Sequence, residues 1–149
     1  MDSLPVLPTQ PNTVEDLVKV MRTMPQVVPE TEHYFAGGMY CRVVREAAGT
    51  LVVGKKHKKA HFYIIVEGAI AVVQNGAERK VYEAPSIIVS NPGTQRALFI
   101  LEDSVFLTVH RTDKTDLDEI EAEQIESDQL ALFDSHNQLK ESLTWLGTT

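Results

Sequence analysis

Between Met39 and Arg111 the chain leaves no room for a helix. It runs instead through short segments rich in Val, Ile, Phe and Tyr, separated by turn residues, at about 39–46, 49–54, 61–66, 69–74, 78–82, 86–89, 95–101 and 104–110. Many short strands at close spacing, with no helices between them, predict a sandwich or a barrel. Asn75-Gly76 between two such runs predicts a two-residue hairpin, and Asn91-Pro92-Gly93 a further turn. At the centre lies TLVVGKKHKKAHFYIIVEG, Thr50 to Gly68, which reads as strand, lysine-studded corner, strand. His57 and His61 sit at the two lips of that corner. The period of two in a strand puts His61, Tyr63 and Ile65 on one face and Phe62, Ile64 and Val66 on the other. Both faces are largely apolar, as expected of a barrel strand whose outer face is covered.

The flanks have a different character. Residues 1–12 hold three prolines and read as an extended arm. Thr13 can cap a short helix with Leu17, Val20, Met21 and Met24 on one face, ended by Pro25. Pro25 to His33 reads as a polar connector, and Gly37-Gly38 as the turn before the main body. After Arg111, Thr115 can cap a helix to about Ile125, with Leu117, Ile120 and Ala122 or Gln124 toward the body. Its acids are outside and in the first turn, where they suit the helix dipole. The expected organisation is an N-terminal arm and helix over 1–33, a β-barrel over 34–112 and an acidic helical extension over 113–149. Leu130, Leu132, Phe133, Leu139, Leu143, Trp145 and Leu146 carry too much apolar surface to stay in water, so they dock on the barrel or on a partner. A homo-oligomer, a dimer first, is the partner this predicts.

Composition narrows the function. At 149 residues and 43% hydrophobic, the chain suits one domain with a sizeable core. No apolar run reaches the roughly 20 residues that cross a bilayer, and MDSLPVLPTQP has no signal-peptide pattern. The single Cys41 lies in an apolar run, which predicts a buried structural thiol in a reducing cytoplasm. A formal charge of −7 argues against general nucleic-acid binding. The charge is uneven, however. Four of the eight lysines (Lys55, Lys56, Lys58 and Lys59) flank His57, while eight acids lie between Asp113 and Asp128. The lysines read either as a solvated turn or as a positive rim that draws in an anion.

The corner ending in Glu67-Gly68 and the Asn91-Pro92-Gly93-Thr94-Gln95-Arg96 turn resemble the two motifs of the cupins. That resemblance covers about 50–111 and implies a small double-stranded β-helix, or jelly-roll, barrel. Cupins hold a divalent metal through three histidines and a glutamate. Aligned on Glu67-Gly68, the family's glutamate falls on His61, its second histidine on His57 and its first on Lys55, and the histidine of the second motif falls on Arg96. The whole chain is also similar to small cupin-like proteins of tailed bacteriophages, through the Gly-x-x-His-x-x-x-His corner, the Pro-Gly-Thr-x-Arg turn and Val109-His110-Arg111-Thr112. A phage source, with the protein in the host cytoplasm or in a virion, is what that second resemblance implies.

Two readings of the corner follow. In the first, His57 and His61, with His110 as a third ligand if it points inward, hold a divalent transition metal suited to imidazole, such as Fe, Ni, Cu or Zn. The chain would then be a metal-dependent enzyme of dioxygenase or isomerase type. Against this, Lys55 and Arg96 put cations where two ligands would stand. In the second, the pocket binds no metal and holds a small anion through the Arg96 fork, with Lys55, His57, His61 and Tyr63 as further donors. The chain would then be a non-catalytic binding or structural protein, free of cofactor, with a phage structural protein as its other partner. Arg96 could also simply pair with Glu67 or Glu46. Ser86, Ser90 and Ser104 lie in no nucleophile context.

Overall fold

The computed structural model describes residues 14–74 and 78–126, with side chains from Val18 onward. Helix α1 (Val14–Met21) is followed by nine strands: β1 (Glu30–Ala36), β2 (Met39–Glu46), β3 (Leu51–Val53), β4 (His61–Glu67), β5 (Ala69–Gln74), β6 (Lys80–Glu83), β7 (Ser86–Ser90), β8 (Arg96–Ile100) and β9 (Ser104–Arg111). Helix α2 (Leu117–Gln124) closes the described chain. The strands form a five-stranded sheet in the order β1-β2-β9-β4-β7 and a four-stranded sheet in the order β3-β8-β5-β6. Every pairing is antiparallel. This is the cupin-type jelly roll that the two motifs imply. Among the described residues, no helix is long and apolar enough to cross a membrane.

The eight expected strands fall where the β-rich runs lie, and both helices form. One strand escapes the sequence reading. Glu30–Ala36 falls mostly in the stretch expected as a polar connector, yet all seven of its residues pair with β2. An edge strand needs backbone partners on one side only, and charged side chains there protect the edge from further pairing. Glu30 and Glu32 therefore cost the strand nothing, and they hide it from a hydrophobic pattern. The N-cap of α2 is Asp116, one residue past the expected Thr115, and its carboxylate accepts from the Asp118 and Glu119 backbone N–H groups. The Asn75-Gly76 hairpin, the 1–12 arm and the apolar segment 130–146 lie outside the described residues.

Alternation supplies the core. Val44, Tyr63, Ile65, Ile70, Val72, Leu98, Ile100 and Phe106 meet between the sheets, with Ile65, Ile70 and Ile100 at 0% exposure. A second cluster seats α1 on the smaller sheet through Val18, Met21 and Ala97. The outer face of the larger sheet, expected to be covered, is not covered by the described residues. Phe62 is 49% exposed, Val89 58% and Ile87 71%. These residues are neighbours across the sheet, Phe62 opposite Val89 and Ile64 opposite Ile87. Cys41, expected to be buried, is partly exposed. It pairs with Val109, the residue that faces Phe62 on the other side of β9, which places it on this same outer face.

Gly68 turns the chain from one sheet to the other at φ +88°. A Cβ there would lie 2.5 Å from the Asp103 carbonyl oxygen and within contact of the Ser104 side chain. The left-handed backbone alone costs a non-glycine residue about 1–3 kcal/mol, and the backbone contact adds to it. We expect Gly68→Ala to lower the unfolding free energy by at least that much in urea titration. Gly49→Ala, at a similar φ of +89° but with nothing within 4 Å, should cost less.

Candidate metal centre

Three histidines converge at one end of the space between the sheets. His61 opens β4, where parity directs it inward with Tyr63 and Ile65. His110 lies on β9, whose Ser104, Phe106, Thr108 and His110 are all buried. The register sets Tyr40 opposite His110 and Phe62 opposite Val109, so His61 and His110 come from adjacent strands. His57 has no strand to hold it. Its loop is fixed by the Gly93 N–H donating to its carbonyl at 2.9 Å, and by a bridge to Ile125. Ring centroids lie 4.1 Å apart for His57 and His61, 4.5 Å for His61 and His110, and 5.1 Å for His57 and His110. One ligating nitrogen from each falls within 4.8 Å of the others.

The unused nitrogens are what suit this cluster to a metal. His57 Nδ1 is 3.1 Å from the Lys55 carbonyl and His61 Nδ1 is 3.4 Å from the Lys59 carbonyl, so each ring donates there and keeps a bare Nε2. His110 bonds through Nε2 to Thr108 Oγ1 at 2.9 Å, and its buried Nδ1 has no partner among the described residues. His57 and His61 thus keep a lone pair at Nε2, and His110 keeps one at Nδ1 in the tautomer that donates from Nε2 to Thr108, the arrangement metal-bound imidazoles need. Burial, and then the neighbouring imidazoles, push His57 and His110 down to about 3. Burial also lowers His61, and the charge of Arg96 adds to the shift. All three are neutral at pH 7, as ligation requires.

The two cations that weighed against a metal have partners of their own, and their charge still acts on His57 and His61. Lys55 forms an ion pair with Glu121 of α2. Lys59 reaches Glu123 at 3.8 Å, and Lys58 Nζ donates to the Ala122 carbonyl at 3.0 Å. Of the two readings of the lysines, the positive rim is weakened, because Lys55 and Lys59 meet carboxylates of α2. Main-chain bonds from Lys58 N to Gln124 O (2.6 Å) and from Glu126 N to Lys56 O (2.8 Å) fasten the two segments together. Arg96 donates through Nη1 to Ser90 Oγ at 2.6 Å and forms no ion pair with Glu67 or Glu46.

A cavity of about 370 Å³ opens beside the triad. Its wall includes the three histidines, Tyr63 and Arg96, and also Arg42, Glu46, Tyr40 and Thr108. α1 and α2 roof it through Met21, Ile120 and Gln124. Tyr63 Oη is buried without a partner among the described residues, and burial raises its pKa. Burial pushes Glu46 up to about 7 against the pull of Arg42. Arg42 was not anticipated as a site residue. Period-two reading of Met39-Tyr40-Cys41-Arg42-Val43-Val44-Arg45-Glu46 puts it on the same face as Val44, so a cation at a core position was the available signal.

Fold and site together define a cupin-type barrel with three histidines grouped inside. No family model matches the chain, and no curated protein does. Solved structures do match. A Klebsiella pneumoniae protein with a double-stranded β-helix domain superposes with a TM-score of 0.51 at 14% identity, over 66% of this chain and 90% of that one. KdgF from Halomonas gives 0.51 at 15%, over 60% and 84%. The DMSP lyase DddQ from Ruegeria pomeroyi gives 0.51 at 14%, over 59% of this chain and 49% of that one. At such identities the likeness concerns the fold.

The imidazoles set a pH dependence. Unfolded, they take up protons near 6.5; folded, His57 and His110 do so only near 3. With the folded pKa values lowered, the stability they contribute is present above pH 6.5 and is lost as pH falls toward 3. Glu46, raised from 4.5 to about 7, acts in the opposite sense over that interval. In metal-free Glu46→Gln protein we expect the unfolding free energy to fall by about 1–3 kcal/mol per pH unit below 6 in urea titrations. Adding His110→Gln should reduce that slope by about half.

Proposed function

We propose that this chain is a metal-binding cupin-fold protein in which His57, His61 and His110 hold a divalent transition metal beside a chamber for a small anionic molecule. The observation that carries this reading is the set of three neutral rings, each anchored through one nitrogen and bare at the other. Three imidazoles leave the full charge of the ion uncompensated, since no carboxylate of the described residues joins them. An anionic ligand in the chamber would gain from that charge and from the remaining N–H groups of Arg96. When bound, such an ion would supply a Lewis acid for a substrate oxygen. This favours the metal-dependent enzyme over the metal-free binding or structural module, and Tyr63 and Glu46 are then the groups placed to hold a proton or orient a ligand. A phage source and a virion or host-cytoplasm location rest on the sequence resemblance alone.

The test is elemental analysis of protein purified without chelator or histidine tag. We expect close to one equivalent of a transition metal in the wild type. His110→Ala should retain less than about a tenth of it, whereas Lys59→Ala, which leaves every ligand in place, should keep it. Reloading should raise the unfolding free energy by about 3–4 kcal/mol at 100–1,000 times the dissociation constant. A folded wild type that takes up no metal from excess Fe, Ni, Zn or Mn would refute the reading.

The partner this reading assigns to the outer sheet face is a second copy of the chain. Phe62, Ile87 and Val89 are exposed there with Ile64 half-buried among them, all uncharged, and the same rows on a copy can pack against them face to face. Light scattering at tens of micromolar should give a dimer, and Ile87→Lys should shift it to monomer.

A further inference from the structure

The triad accounts for one end of the cavity but not for Arg42. Tyr40, Arg42, Val44 and Glu46 share the inner face of β2, and the cavity reaches Arg42 within the wall of the barrel. Among the described residues no hydrogen bond or ion pair engages its guanidinium. Glu46 lies four residues further along the strand, about 13 Å between Cα atoms, and makes no ion pair with it. Arg42 is half-buried, and the carboxylates of Glu46 and Glu121 act on it only from a distance, without an ion pair. A guanidinium that opens on the cavity with no hydrogen bond of its own is placed to take a ligand.

The register says what that ligand looks like. Arg42 is opposite Thr108, and Thr108 is opposite Tyr63. Three side chains that can hydrogen-bond therefore stand in one row across three adjacent strands: a guanidinium, a hydroxyl and the unpartnered Tyr63 Oη. His110 is two residues beyond Thr108 and His61 two before Tyr63, so the triad is the next row, about 7 Å along the strands. Val44, Phe106 and Ile65 form the row on the other side and are apolar. A ligand held at the Arg42 row and reaching the triad spans only a few bonds.

We propose that Arg42, with Tyr63 and Thr108, is an anchoring subsite for the carboxylate of a small organic acid whose other end lies at the histidine row. The planar fork of Arg42 matches a carboxylate bidentately, and Tyr63 can add a third donor. Arg96, on the facing sheet, strengthens the field without being the anchor, because one of its nitrogens is already committed to Ser90. This rests on the reading of the cavity as a ligand chamber, but not on the presence of a metal.

The experiment uses the full chain stripped of metal, so that a carboxylate cannot score by ligating an ion. Benzoate and its neutral isostere benzamide are titrated calorimetrically to about 10 mM. The wild type should bind benzoate at least about tenfold more tightly than benzamide. Arg42→Gln should reduce that preference to less than about twofold while its melting temperature holds or rises, and Arg42→Met serves if the glutamine variant does not fold. Lys59→Ala, outside the chamber, should keep the preference. A wild type that shows no preference, including one that binds neither compound, overturns the proposal, as does a preference that survives in a folded Arg42 variant. The same preparations titrated with Ni(II) separate the two readings. An Arg42-dependent preference in a chain that binds no nickel upholds the subsite while removing the metal.

Discussion

The site depends on how one loop is held. His61 and His110 are delivered by strands whose alternation and register leave them no other direction. His57 stands outside every strand, and without it the triad is a pair. Two attachments fix it: the Pro-Gly turn reaches its carbonyl through Gly93 N–H, and α2 bonds on either side of it through Lys56 and Lys58. The charge asymmetry of the chain serves this attachment. Lysines around His57 and acids after Asp113 are the two halves of one contact, with Lys55–Glu121 and Lys59–Glu123 across it. Partly exposed ion pairs contribute little stability individually, but here they set where a helix docks, and the helix decides where a ligand can stand.

Desolvation runs through the same chamber with consequences of opposite sign. It keeps His57, His61 and His110 neutral, which frees their lone pairs, and it holds Glu46 partly protonated near neutral pH. Arg42 cannot escape in that way, because a guanidinium keeps its proton even where burial lowers its affinity. The chamber therefore contains uncharged donors and acceptors that cost little to bury, together with cations that remain charged. Met21 of α1 and Ile120 and Gln124 of α2 stand above them. Such a place favours a compact molecule with negative charge at one end.

The resemblance to cupin motifs was a good guide to the barrel and a partial guide to the histidine cluster. It aligned His57 and His61 with family positions, and both lie in the triad. It also put Arg96 where a histidine would stand, which made a metal look unfavourable. The third imidazole comes from His110 instead, a residue outside both motifs, and Arg96 is turned toward Ser90.

The strands of the body and the inward direction of His61 and Tyr63 were legible in the sequence, because a pleated strand alternates its faces and β-rich runs between turn residues admit no helix. β1 was not legible, since an edge strand tolerates the charges of Glu30 and Glu32. The direction of His110 was not legible either: a one-residue slip in register reverses every side chain of a strand, and only the pairing of β9 with both β2 and β4 removes that freedom. Arg42 shows the limit most clearly. Its parity could be read from Tyr40, Val44 and Glu46, but not whether a counter-charge would meet it. Contacts between distant segments are decided by packing, and it was packing that left that cation facing an open chamber beside three bare imidazole nitrogens.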